Sequence, residues 1–242
     1  MSSYLFLFLE PREDHRHNFA QWRRELLPAH LVGITHTLYL DATESTPHAP
    51  KSAKGAALTV YNHLNIYRLA PLTALQRTEL ETHLHSVSAT TTSATESKET
   101  RLIISHTWTF YTATTEAHAP STTPRAPTIV TVGMTISPAD SAELDRWYAG
   151  EHIPALARVP GWRNAIRLVI AGSDREEKAK TEGNGKDATA AAPYLAVHEW
   201  DEPNGLGGEV WRAACDTPST RRIEEMQVAP LQRRVWRVVS AT

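Results

Sequence analysis

Leu144, Tyr148, His152, Leu156 and Val159 follow one another at spacings of four, four, four and three. That rhythm puts them on one face of a helix and sets a single imidazole in an otherwise apolar stripe. An imidazole titrates near neutral pH, and burial or a neighbouring carboxylate tunes it, so His152 is the leading candidate for a general acid/base. Tyr148, one turn earlier, can donate a hydrogen bond to a developing enolate or oxyanion. Asp145 and Glu151 are the carboxylates that reach the ring if the helix bends favourably. A bend is expected, because Pro154 clashes with the carbonyl four residues back, and that carbonyl belongs to Gly150. The pattern predicts a kinked helix over Ser141–Val159 with a freed carbonyl beside His152, ended by Pro160-Gly161. The competing reading is a packed core helix whose histidine bonds that carbonyl.

Other residues could join this chemistry. His198 shares one face of the strand Tyr194–Trp200 with Tyr194, Ala196 and Trp200. This face is assigned to the interior between two sheets, and the Leu195/Val197 face to the helices. Trp147, Trp162, Trp200 and Trp236 suit a pocket for a flat conjugated ligand, although core packing explains each one singly. Arg167, with Arg163, could hold a substrate carboxylate, against the alternative of a solvated strand edge. An enzyme of this design requires a cavity of roughly 300 Å3 or more against His152.

Metal and cofactor chemistry are not expected. His15-Arg16-His17 and His83-Leu84-His85 have zinc-compatible spacing, but no fixed carboxylate or thiolate partner accompanies them. Haem would require His152 or His198 as an axial ligand in a large pocket. Glycine-rich phosphate loops and Ser-His-Asp signatures do not stand out.

The bulk properties fit a globular chain. Of 242 residues, 41% are hydrophobic and 21% charged, enough to bury a substantial core. A formal charge of -2 argues against nucleic acid or an anionic membrane as the main partner. Cys215 is the only cysteine, which excludes an intrachain disulfide. The apolar run Tyr4–Leu9 is too short for a signal peptide or membrane span, and the chain reads as cytoplasmic.

The elements that must position these groups come in one order, twice. Strands are expected at Tyr4–Leu9, His36–Leu40, Leu58–Tyr67 and Arg101–Tyr111, with helices around Phe19–Leu31 and over residues 72–85. Residues 86–100 read as a mobile Ser/Thr-rich stretch. The order restarts with a strand at Ile129–Ile136, the His152 helix, strands at Ala165–Ile170 and Tyr194–Trp200, a helical segment Glu209–Gln227 interrupted near Pro218, and a strand Leu231–Val239. Residues 172–192 read as a charged, disordered loop. Three short matches accompany the repeated order: Glu25–Ala29 with Glu151–Ala155, Leu58–His63 with Leu195–Trp200, and Ser105–Trp108 with Arg233–Trp236. Together they indicate a duplication. The expected organisation is an N-terminal unit over 1–111, a linker over 112–127 and a C-terminal unit over 128–242 carrying the active site. Each unit is a βαββαβ, ferredoxin-like α+β fold, and the two antiparallel sheets pack face to face as a pseudo-twofold α/β barrel.

The string Arg146-Trp147-Tyr148, Glu151-His152-Ile153-Pro154 and Val159-Pro160-Gly161-Trp162, followed by Tyr194–Trp200, resembles EthD-like proteins of the dimeric α/β-barrel superfamily. More closely, it is similar to the duplicated single-chain versions found in fungi. The resemblance covers residues 129–239 well and 4–111 more weakly. It implies a small-molecule pocket beside the sheet, with the histidine at the place of His152 as a frequent acid/base. The superfamily includes cofactor-free decarboxylases, cyclases, dehydratases, isomerases and monooxygenases, as well as haem enzymes. The expected activity is therefore cofactor-independent proton-transfer chemistry on a small, apolar or aromatic, carbonyl-bearing substrate of polyketide type: decarboxylation, dehydration, cyclisation or isomerisation. The alternatives are a non-catalytic ligand-binding or assembly module and a cofactor-free monooxygenase. A homodimer is compatible with this reading. In the first half Leu26 stands where the second has His152, so the two pockets are expected to be unequal.

Overall fold

Tyr4–Leu9 contains no charged side chain, and Tyr4, Leu5, Phe6, Leu7 and Leu9 are all buried. A strand apolar on both faces needs a cover on each side. A computed structural model, which describes residues 2–11, 16–27, 33–43, 61–92, 103–118, 126–171 and 192–241, shows how both covers arise. The elements are β1 (Ser3–Pro11), α1 (Arg16–Glu25), β2 (Ile34–Ala42), β3 (His63–Leu69), α2 (Ala74–Thr92) and β4 (Ile103–His118) in the first half. The second half has β5 (Thr128–Met134), α3 (Ser141–Trp147), α4 (Ile153–Leu156), β6 (Trp162–Ile170), β7 (Tyr194–Trp200), α5 (Glu209–Cys215), α6 (Pro218–Glu225) and β8 (Gln232–Ala241).

The strands close into a single barrel in the order β1-β3-β2-β8-β5-β7-β6-β4. Each half contributes a four-stranded antiparallel sheet of ferredoxin-like order, and two seams join them. At one seam β2 pairs β8, and at the other β6 pairs β4. Closure leaves no free sheet edge between the halves.

The internal repeat is visible in the register. Ser3 pairs Leu69 and Leu9 pairs His63 in the first half, while Thr128 pairs Trp200 and Met134 pairs Tyr194 in the second. His63–Leu69 is thus the counterpart of Tyr194–Trp200. The sequence matching of Leu58–His63 to Leu195–Trp200 was six residues out of register. Trp236, opposite Ile129, holds the place of Tyr111, opposite Tyr4, so the match to Trp108 was three residues out. Short strings of alternating apolar residues align to one another in several registers, and only pairing selects one.

The face assignment also reverses. Leu195 and Val197 point into the barrel with Phe6, Leu40, Leu64, Ile66 and Trp236. Tyr194, Ala196 and Trp200 pack against the helices with Trp147, Tyr148, Leu156 and Trp211. Period-two alternation says which residues share a face; it does not say which face meets the helices when both are apolar.

Two boundaries move. Residues 112–118, expected in the linker, continue β4 and make the seam with β6. Residues 86–92, expected in a mobile stretch, belong to α2. The loop over 172–191, most of the Leu58–Asn62 extension of β3, and Pro28 with Ala29 of the repeat lie outside the described residues.

Candidate functional site

The expected bend takes the form of a π-helical turn over Tyr148–His152, between α3 and α4. The Ile153 N–H donates to the Tyr148 carbonyl five residues back. This accommodates Pro154, which has no N–H to offer Gly150. Gly150 is exposed and a Cβ there would meet nothing, so the turn bulges outward. At the far end Gly161 adopts φ +80, the conformation that favours glycine.

The turn carries His152 onto the outer face of β7. Its ring stacks on Trp147 at 4.3 Å, stands edge-on to Tyr148 at 5.6 Å, and lies 6.4 Å from His198. The helix stripe and the strand face named from sequence therefore meet in one layer. Burial pushes His152 down to about 4, against a backbone hydrogen bond with Ala214 and the charge of Glu151. His198 is pushed down to about 3 by burial, with His152 and Arg233 adding to the shift. Both rings are neutral at physiological pH. The Nδ1 atoms of His152 and His198 and the indole nitrogens of Trp147, Trp162 and Trp200 are buried without a hydrogen-bond partner.

Neither expected carboxylate reaches His152. Arg167 donates to Asp145 at 2.5 Å, and Thr217 donates to Glu151. Arg167 is buried with its guanidinium over the Tyr148 ring, so the solvated-edge reading does not hold. Burial also raises Tyr148 to about 12, keeping the phenol protonated. Trp236 is separated from these residues: it faces the barrel interior and donates to Thr131. A narrow crevice beside Tyr148, Arg167 and Tyr194 has no room for a water molecule and does not extend to His152. His83 contacts the Leu26 carbonyl and His85 packs on Trp108, which gives each a structural partner.

The first half holds a polar cluster that sequence reading missed. Arg23 of α1 is buried and donates to Asn65, Asp41 and the carbonyls of Leu40 and Leu64. Asn65 in turn donates to the Tyr67 hydroxyl. His63 Nδ1 lies 2.6 Å from Asp41. Burial pushes the Asp41 carboxyl up, but hydrogen bonds from His63 and Arg23 outweigh it and hold it below the usual range. Arg23, Asp41 and His63 border a cavity of about 190 Å3. The available signal was Arg23 itself, a charge four residues after Phe19 in the apolar stripe of α1.

No family model and no curated protein sequence matches the chain. Among solved structures it is similar to an anthrone oxidase-like protein, at 12% identity and a TM-score of 0.59, covering 100% of this chain and 92% of the other. It is also similar to a candidate monooxygenase from Fusobacterium nucleatum, at 5% identity and a TM-score of 0.54, covering 99% and 93%. Likeness at these identities concerns the fold. The fold is a ferredoxin-like α/β barrel with both halves in one polypeptide. Among the described residues, no helix is long and apolar enough to cross a membrane.

Proposed function

We propose that this protein is a cofactor-independent enzyme of specialised metabolism, of EthD-like type, working in the helix–sheet layer of its second half. One observation carries the reading. Five buried nitrogens without partners belong to His152, His198, Trp147, Trp162 and Trp200, which line one layer. Leaving a buried polar atom unpaired costs about 1–3 kcal/mol, so such a concentration marks a place where a ligand can supply the missing bonds. His152 is the acid/base, with its ring held by Trp147 and Ala214. Tyr148 is a hydrogen-bond donor and His198 a second neutral imidazole. The substrate is a small, apolar or aromatic, carbonyl-bearing compound of polyketide type. Neither cavity described above touches His152, so the space of roughly 300 Å3 that this reading requires opens by displacement of the π-turn.

Two other readings have specific support. The names of the two structural neighbours favour oxygen chemistry, so a cofactor-free monooxygenase competes with a lyase, cyclase or isomerase. The lack of room in the crevice beside Tyr148 favours a non-catalytic binding or assembly module. A panel of polyketide-type phenols and β-dicarbonyl compounds, assayed with and without oxygen, separates them. The proposal expects turnover under anaerobic conditions that His152→Ala abolishes with little change in Tm. Oxygen consumption coupled to turnover selects the monooxygenase. A His152→Ala variant that loses stability while binding and turnover are unchanged makes the histidine structural.

A further inference from the structure

The first half carries an acid/base apparatus of its own, on strands rather than on a helix. His63 of β3 and Asp41 of β2 are cross-strand partners on the outer sheet face. In the second half the corresponding pair is Val169 and Tyr194, which has no titratable base. The carboxylate therefore belongs to the first half alone.

Arg23 is fully engaged with Asn65, Asp41 and two backbone carbonyls, so it serves as a strap. It fixes Asp41, and Asp41 fixes the imidazole. Arg23 Nη1 also approaches His63 Nδ1, but at 3.5 Å against 2.6 Å for the Asp41 carboxylate, so the shorter contact selects the tautomer with its proton on Nδ1 and a lone pair on Nε2. No partner takes Nε2 among the described residues. The ring packs on Phe19 at 4.7 Å and borders the cavity of about 190 Å3. That cavity sits at the β2·β8 seam: Tyr39, Asp41 and His63 come from the first half, Val239 and Ser240 from the second. Its apolar contacts are Phe19, Tyr39 and the exposed Val239, and Arg24 adds an exposed cation at its border.

A base oriented by a carboxylate, an apolar slot and a nearby cation together suit a small aromatic or enolisable acid that binds as its anion. We propose that the β2·β8 seam cavity is a second ligand site, separate from the His152 layer, in which His63 deprotonates a phenol or enol. The O–H bond of the ligand breaks, an N–H bond forms at His63 Nε2, and the resulting oxyanion remains beside imidazolium, Arg24 and the Asp41 carboxylate. No electron transfer is involved.

The test uses the full chain and 4-nitrophenol, whose phenolate absorbs visibly and whose phenol does not. At a fixed pH below the probe's own ionisation, the wild type is expected to bind it as phenolate. His63→Gln and Asp41→Asn lower the bound phenolate fraction by about tenfold or more, while His152→Ala leaves it unchanged. In parallel, 15N resonances of the wild-type protein show His63 Nε2 becoming protonated on saturation with the probe, which needs no variant to fold. Probe that binds without ionising, a phenolate fraction unchanged in a folded His63→Gln, or loss of the signal in His152→Ala overturns the proposal. The last outcome would move the binding to the His152 layer, so the two assignments fail separately.

Discussion

The guanidinium of Arg167 lies over the ring of Tyr148, 4.3 Å from its centre, and a related pair in the first half exchanges the two residue types. There Arg23 projects from the helix over Tyr39 of the strand at 5.3 Å. Tyr39, paired with Asn65, and Arg167, paired with Ala196, occupy the same place in the two sheets. Each half thus holds one cation against one phenol between helix and sheet, with donor and ring carried by opposite elements.

This arrangement predicts a coupling. A double-mutant cycle of Arg167→Met and Tyr148→Phe is expected to give about 0.5–2 kcal/mol of interaction energy by urea unfolding. A coupling indistinguishable from zero would reduce the contact to simple packing. Arg23→Met should be costlier, about 3–5 kcal/mol, because Asn65, Asp41 and two carbonyls lose their donor inside the protein.

The two depressed imidazoles predict the acid behaviour. His152 and His198 bind protons less readily in the folded chain than in the unfolded one, where the ordinary value is 6.5. The unfolded state therefore takes up protons first as the pH falls. Stability is level above about 6.5 and declines from there toward about 4, by up to about 1.4 kcal/mol per pH unit for each ring. Asp41 and Glu151, both lowered, contribute stability that is present above the ordinary carboxylate range and is lost as the pH falls through it. Urea unfolding at several pH values between about 7.5 and about 4.5, from one unit above the onset to just inside the lower end of this window, checks the slope. His198→Phe should flatten it, and an unchanged profile would contradict the burial of that ring.

Trp236 predicts a separation between stability and ligand chemistry. Its indole fills the barrel interior at 1% exposure and donates to Thr131. Trp236→Ala is expected to cost about 3–5 kcal/mol. Trp236→Phe should cost less and leave ligand binding in both helix–sheet layers intact. Loss of binding in a folded Trp236→Phe protein would return this residue to the site.

Gly161 closes the motif helix. Its φ of +80 disfavours any side chain, and a Cβ would stand 2.8 Å from that of Asn204. Gly161→Ala is expected to destabilise by about 1–3 kcal/mol and lower Tm, whereas Gly150→Ala, with open space around it, should be tolerated.

The legible part of the fold was the order of elements and the site helix, because periodicity and the Gly150/Pro154 spacing act locally. The π-turn is the physical form of the bend those two residues require. Register and facing were not legible, since both sheet faces are apolar and a side chain's sequence neighbours do not reveal what covers it. Of the site residues, His152, Tyr148, His198, Trp147, Trp162, Trp200, Tyr194 and Arg167 share the outer face of the second sheet, and Trp236 does not. The first-half cluster was invisible for a different reason. Arg23, Asp41, His63 and Asn65 come from three elements with separations of 18 to 42 residues, and only the fold brings them together.

The two seams have a consequence for inheritance. In a barrel assembled from identical subunits, every substitution is written into both half-sites at once, and a residue useful in one must be tolerable in the other. Here β2 meets β8 and β4 meets β6 within one polypeptide. Each half can drift alone while closure of the barrel keeps its partner permanently at hand. A histidine on a helix in one half and a histidine on a strand in the other is the kind of divergence that such freedom permits.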